Sequence, residues 1–295
     1  MKSKEMVHIP LMGGLGNQLF QLAAGLYVSQ KLEKEVRILS TWLNPTSLVL
    51  RAKVQPRKLM IEDLIHEHEW SRISRSQTAL TRIAARFSPE LWVAESGPSD
   101  ASIERITPRT RFLVGYFQRA HYANSVRNLL LERFNSSPKF SQIIPKLLRP
   151  RIAIHMRFGD YFTDPVTRRF HGLNRASYYV DSARILLQRI DCDQIILISD
   201  DPDRALSSFT EAFGKTELHI ETSNGKSEFE DLALLASSAG IVISNSSFSW
   251  WAAWIGSTSL NASVIIPIPW FATASAIDKN LALPSWTYMR RSPIT

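Results

Sequence analysis

The sequence predicts an α/β protein made of two units, each a parallel sheet with helices packed on its faces. Three observations predict it. Apolar runs of strand length alternate with amphipathic runs of helix length along most of the 295 residues. Several of the apolar runs stop abruptly at Gly, Ser, Asn or a charged residue, as buried parallel strands do where they reach a loop. Between Asn135 and Pro150 the rhythm breaks in a stretch holding Pro138, Pro145 and Pro150, which reads as a linker. The expected domains are residues 1–148 and 149–295.

The elements follow in order. Met6–Leu11 reads as a strand, Gly13–Gly16 as a tight turn, and Asn17–Leu32 as a helix with Leu19, Leu22, Ala23, Leu26 and Tyr27 on one side. Val36–Leu39 is a second strand. The region from Thr41 to Thr110 resists parsing, with turns expected around Pro45, Pro56, Pro89 and Pro98. Arg111–Tyr116 reads as a strand and Tyr122–Phe134 as a helix. In the second half, strands at Ile152–His155, Gln194–Ser199, Glu217–Ile220, Gly240–Ser244 and Ser263–Ile266 alternate with helices at Arg175–Arg189, Glu228–Ser237 and from Ser247 onward. Two such units place a cleft between them.

Composition bounds the function. Apolar residues make up 44% of the chain, enough for an ordered protein with sizeable cores. Lys and Arg exceed Asp and Glu by 35 to 27, a net charge of +8 that favours anionic partners. The basic residues are scattered, so a nucleic-acid-binding stripe is not suggested. A lone Cys192 excludes an internal disulfide and suits a reducing compartment. No charge occurs from Leu232 to Ile277, yet serines and prolines interrupt every window long enough to span a bilayer, so this reads as buried core. The expectation is a cytoplasmic protein able to visit the inner face of an anionic membrane. Its Asn-x-Ser triplets at Asn135, Asn245 and Asn261 carry no meaning without secretion.

Three turns carry the chemistry. Gly13-Gly14-Leu15-Gly16-Asn17-Gln18 follows the first strand, where glycines admit a ligand close to the backbone and a helix start offers unpaired N–H groups. Leu19 stands where a dinucleotide fingerprint needs its third glycine, and no Gly-Lys-Ser/Thr follows, so neither phosphate motif is present. The second turn is His155-Met156-Arg157-Phe158-Gly159-Asp160. A strand-end Arg157 either forks onto a phosphate or sits in a structural salt bridge. The third is Ser244–Trp254, whose Asn245, Ser246 and Ser247 are either N-caps or an anion cradle. Trp250, Trp251 and Trp254 pack in the core or at a domain seam, or form a sugar platform. Asp201-Pro202-Asp203 opens a helix or holds a divalent cation.

Taken in order, Gly13–Gln21, Gly115-Tyr116-Phe117-Gln118, His155–Tyr161, Ser199-Asp200-Asp201, Glu230-Asp231-Leu232 and Asn245–Trp254 resemble the motifs of the α-1,2-fucosyltransferases of glycosyltransferase family eleven. The resemblance runs from about residue 7 to residue 270 and is poorest between 41 and 110. It implies a GT-B protein of two Rossmann-like domains, the N-terminal one on the acceptor side and the C-terminal one holding GDP-fucose. It also implies metal-independent, inverting transfer to the 2-hydroxyl of a galactoside, with no cofactor, in the making of a surface polysaccharide or glycolipid. By the same resemblance Arg157 grips the donor pyrophosphate, His155 and Asp231 contact guanine, and Asn245, Ser246, Ser247 and Phe248 line the phosphate cradle. Gly14 and Gly16 shape the first turn, and Asn17 faces the reacting sugar. Asp160 is the candidate base, with Asp164 and His171 as neighbours that could serve; alternatively Asp160 orients Arg157 or caps a turn. The chain departs from the family's usual His-x-Arg-Arg-Gly-Asp at Phe158. Another GDP-6-deoxyhexose as donor, or a non-catalytic binder of the nucleotide sugar, are the alternatives.

Overall fold

The computed structural model describes residues 5–40, 43, 57–71, 91–95, 102–139, 141, 150–223, 227–272 and 278–294. The turns expected at Pro45, Pro56, Pro89 and Pro98, and linker residues 142–149, lie outside them. The chain forms two compact units, Met1–Ser137 and Pro138–Thr295. The division falls at the first linker proline rather than after residue 148. A helix ends there at Ser136, and Pro138 cannot extend it.

Unit 1 contains β1 (Met6–Pro10), α1 (Leu15–Leu32), β2 (Glu35–Leu39), β3 (Trp70–Ser71), β4 (Trp92–Ala94), β5 (Phe112–Val114), α2 (Ala120–Ser125) and α3 (Arg127–Ser136). Its sheet has the order β3-β2-β1-β5-β4, parallel throughout. The inward residues of β1, Val7 and Ile9, are fully buried and pair with Val36 and Ile38 of β2. Of the apolar face read from the sequence, Leu19, Leu22, Ala23 and Leu26 of α1 lie in the core and Tyr27 is half-buried; the helix starts two residues earlier, with Leu15 buried as well. The helix expected over Tyr122–Phe134 is two helices. Val126, a buried β-branched residue, leaves helical geometry at φ −112° and ψ 24° and divides them.

Unit 2 contains β6 (Ile152–Met156), α4 (Gly159–Thr163), α5 (Pro165–His171), α6 (Ala176–Leu187), β7 (Gln194–Ser199), α7 (Pro202–Phe213) and β8 (His219–Thr222). It continues with α8 (Glu228–Ala236), β9 (Gly240–Val242), α9 (Ser247–Leu260), β10 (Ser263–Ile268), α10 (Asp278–Leu281) and β11 (Thr287–Arg290). The sheet order is β11-β10-β9-β6-β7-β8, again parallel throughout. Every residue of β6 is buried, which accounts for its unbroken apolar run. Helix α6 packs on α7, and α8 on α9, and the doubly wound order puts the two pairs on opposite faces. Trp250, Trp251 and Trp254 are fully buried in edge-to-face contact, and the Trp250 indole donates to the Leu281 carbonyl at 2.7 Å. The tryptophans are core.

Candidate functional site

The strand order of unit 2 fixes where a ligand can enter. From β6 the chain winds outward through β7 and β8, then returns to the other side of β6 for β9, β10 and β11. The crossover connections therefore diverge at the carboxyl ends of β6 and β9, and open α/β sheets bind ligands in the crevice at such a switch point. The loop after β6 carries Arg157, Phe158 and Gly159. The loop after β9 carries Asn245 and the start of α9. Both sequence motifs border the crevice.

Arg157 is held by a residue from a third strand end. Asp200, immediately after β7, accepts from Arg157 Nη1 at 2.8 Å through Oδ2 and from the Phe158 backbone N–H at 2.9 Å through Oδ1. One carboxylate thus fixes both the guanidinium and the turn beneath it. Gly159 makes room for this: its φ is +23°, and a Cβ there would lie 2.3 Å from Asp200 Oδ2. The Arg157 side chain keeps about a third of its surface exposed, at 32%. Phe158, at the departing position, packs its ring against the unit 2 core, and the Arg204 guanidinium lies 5.7 Å from the ring centroid.

His155 precedes Arg157 by two residues and is only 5% exposed. Its Nδ1 shares a 2.8 Å hydrogen bond with the Ser244 hydroxyl, and its ring lies 5.3 Å from that of Phe248. Burial, reinforced by the neighbouring Arg157 charge, pushes its pKa down to about 3. The imidazole is neutral at physiological pH. Asn245 is buried, and its amide donates to the His171 carbonyl at 2.9 Å, tying the β9 loop to the end of α5. Ser246 is the N-cap of α9 with extended backbone geometry and makes no side-chain cap bond; Ser246, Ser247 and Phe248 are half-buried. Ser249 is buried and turns inward to the Ser244 and Ser246 carbonyls.

The carboxylates separate by role. Asp231, in the first turn of α8, accepts from the Ser223 hydroxyl at 2.5 Å, and burial raises its pKa. Asp164 caps α5 through the Val166 and Thr167 N–H groups, and the Thr167 hydroxyl and N–H hold its pKa down. That makes it a poor base. The His171 ring meets the Phe170 ring edge-on and lies tilted against that of Phe271. Asp160 lies on α4, and its side chain is outside the described residues. Asp201 caps α7 and pairs with Arg204 Nε at 3.0 Å, so the Asp-Pro-Asp turn opens a helix. Among the described residues, no cluster of three or more His, Cys, Asp or Glu side chains could hold a metal ion. No described helix is long and apolar enough to cross a membrane.

Unit 1 has its own switch point, between β1 and β5. Gly13 adopts φ +77°, and a Cβ there would lie 2.5 Å from Asn17 Nδ2. Gly14 is the N-cap of α1 with open space above it, and Gly16 is buried in the first turn. Asn17 Oδ1 accepts from the Gln118 amide at 2.7 Å, so the two loops are joined across the gap. Buried Gln18 and Gln21 clasp the backbone at Gly13, Lys58 and Met60, and at Met12. Glu95 accepts from the Tyr116 and Phe117 N–H groups at 2.7 and 2.9 Å, which orients the loop bearing Gln118.

The sequence shows Asp200 inside a motif but not its task, and gives no sign of Ser244 and Tyr179 as partners. A carboxylate directly after a strand is visible in sequence; that β7 lies beside β6 is not. Tyr179, on α6, packs in the core cluster with Met156 and Phe158 on either side of Arg157 and takes the Asn174 amide on its hydroxyl, contacts with no local signal.

Comparison with known proteins gives this geometry a family. The chain is 27% identical over 278 residues to an α-1,2-colitosyltransferase of Escherichia coli, covering 88% of this chain and 91% of that protein. It is 24% identical over 306 residues to the O-antigen biosynthesis glycosyltransferase WbnK of Escherichia coli, covering 94% and 98%. Among solved structures, POFUT1 in complex with GDP aligns at 13% identity and a TM-score of 0.45, over 88% of this chain and 97% of that one. The model of glycosyl transferase family 11 matches residues 1–290, and the chain belongs to that family of glycosyltransferases.

Proposed function

We propose that this chain transfers L-fucose from GDP-β-L-fucose to the 2-hydroxyl of a galactoside in a surface-glycan precursor, with inversion at the sugar. One observation carries the reading. In a family 11 chain, a guanidinium fixed by Asp200 stands at the switch point beside the start of a helix, and both favour a diphosphate. As the glycosidic bond breaks, negative charge grows on GDP. A pre-positioned Arg157 fork and the N–H groups opening α9 meet that charge without reorganising. Neutral His155, Phe248 and half-buried Asp231 are the candidates for guanine, and Ser246 and Ser247 for the phosphates. Asp160 is the candidate base for the acceptor hydroxyl, and Asn17 the candidate contact to the reacting sugar. No metal is needed in this scheme, because the cation is supplied by Arg157.

A second reading has a specific observation behind it. The relative at 27% identity is named for colitose, which is L-fucose lacking the 3-hydroxyl, so the donor here could be that dideoxy sugar. Assaying GDP release from GDP-fucose, GDP-colitose and GDP-mannose against a panel of galactosides, with and without EDTA, separates the readings. Acceptor-dependent release from GDP-fucose that persists in EDTA is the expected result. Release from GDP-colitose alone moves the assignment to the second reading. Binding of GDP without turnover on any acceptor leaves only a nucleotide-sugar binder, and loss of activity in EDTA overturns the metal-independent scheme.

A further inference from the structure

Arg291 follows β11 and is 4% exposed. All five of its N–H groups find acceptors. Nε donates to the Pro269 carbonyl at 2.6 Å. Nη1 donates to the Gly172 carbonyl at 3.1 Å and to Asn174 Oδ1 at 2.6 Å. Nη2 donates to the His171 and Trp270 carbonyls, both at 2.8 Å. A lysine has three donors and no planar fork, so it could not reproduce this set.

Two of those acceptors lead onward to the donor crevice. The His171 carbonyl that Arg291 binds is the same one that receives the Asn245 amide. The Asn174 side chain that Arg291 binds donates through Nδ2 to the Tyr179 hydroxyl at 3.1 Å, and Tyr179 belongs to the core cluster that holds Met156 and packs Phe158, the two residues flanking Arg157. One guanidinium is therefore two steps from the loop after β9 and two from a tyrosine packed in the core around the flanks of Arg157. The segment it grips is fastened a second time, because Leu173 and Ile294 exchange both backbone hydrogen bonds at 2.9 Å.

We propose that Arg291 is a positioning residue of the donor site, setting the Arg157 and Asn245 loops at once through Asn174, Tyr179 and the His171 carbonyl. The proposal rests on the donor-site reading given above. Buried polar networks of this kind specify one arrangement when every member is satisfied, and loosening a member shifts what it supports.

The test uses the full chain, with GDP as the probe. Asn174→Ala cuts the arm to Tyr179 and leaves the four carbonyl bonds of Arg291 in place. Tyr179→Phe cuts the same arm nearer to Arg157. Each is expected to weaken GDP binding, measured calorimetrically, by about three- to tenfold. The double variant should be no weaker than the worse single one, since both break one chain of contacts. Arg291→Lys should raise the donor KM by at least as much while leaving the acceptor KM unchanged; if it does not fold, the Asn174 and Tyr179 variants decide. GDP affinity indistinguishable from the parent in the folded variants, with only the melting temperature lowered, overturns the proposal and leaves Arg291 as a structural staple. Arg157→Ala runs alongside: unchanged GDP affinity there would mean that the donor-site reading itself has failed.

Discussion

Both units wind a parallel sheet outward from the first strand through the next two and then cross to its other side, and they differ in what they place at that break. In unit 1 the loops after β1 and β5 meet through the neutral amides of Asn17 and Gln118. In unit 2 the corresponding gap carries a guanidinium braced by a carboxylate, with the start of α9 beside it. Amides donate and accept, which suits hydroxyl groups; a guanidinium only donates and is always charged, which suits phosphate oxygens. Strand order says where a ligand goes, and the residues lining the break say which kind. The contrast supports the proposal that unit 2 takes the nucleotide.

The largest expected effect tests that contrast directly. Arg157→Ala should lower kcat/KM by about a thousandfold, the scale of removing a preorganised donor from a developing oxyanion, with circular dichroism showing an intact fold. Asp200→Ala should act in the same direction but less strongly, since it loosens Arg157 without removing it. Activity near the parent level in Arg157→Ala would dissolve the distinction between the units.

A smaller effect concerns His155. Its folded-state pKa of about 3 lies below the ordinary 6.5, so below pH 6.5 the unfolded chain takes up a proton that the folded one refuses. The stability associated with neutral His155 is full above that pH and is lost as the pH falls toward 3. Between about pH 6 and pH 4 the parent should lose roughly 1 kcal/mol per pH unit more than His155→Asn in urea titrations. Parallel pH profiles would show that the imidazole is not held neutral by its surroundings.

The smallest effect belongs to unit 1. A double-mutant cycle on Asn17→Ala and Gln118→Ala should give a coupling of about 1 kcal/mol in stability, with kcat lowered through Asn17 and the donor KM raised far less than in Arg157→Ala. A donor KM raised as far as in Arg157→Ala would erase the division of labour.

Much of this was legible in the sequence. The strands at Ile152, Gln194, Gly240 and Ser263 announced themselves by apolar runs ending in polar turns, because a strand buried on both faces has no other pattern available. The strands Trp70–Ser71 and Trp92–Ala94 did not, being too short to show a period. At the site, Arg157 and the serines of α9 stood out because a charge or a cluster of hydroxyls after an apolar run is unusual. Asp200 gained its task only once β7 was known to lie beside β6. The choice at the serines and at Asp201-Pro202-Asp203 also needed geometry, since a cap and an anion site share the same residues: Asp201 caps its helix, whereas Ser246 leaves its hydroxyl out of the cap.

The bonds that complete the two switch points join residues far apart along the chain. Asn17 must wait for Gln118, 101 positions later, and His171 for Arg291, 120 positions later. Loops of that length close slowly compared with a helix or a single βαβ step. During synthesis the amide bridge of unit 1 can therefore close well before Arg291 has been made, whereas β6 and its Arg157 emerge long before their brace. The donor loops should acquire their final setting late, after most of the sheet that carries them has formed.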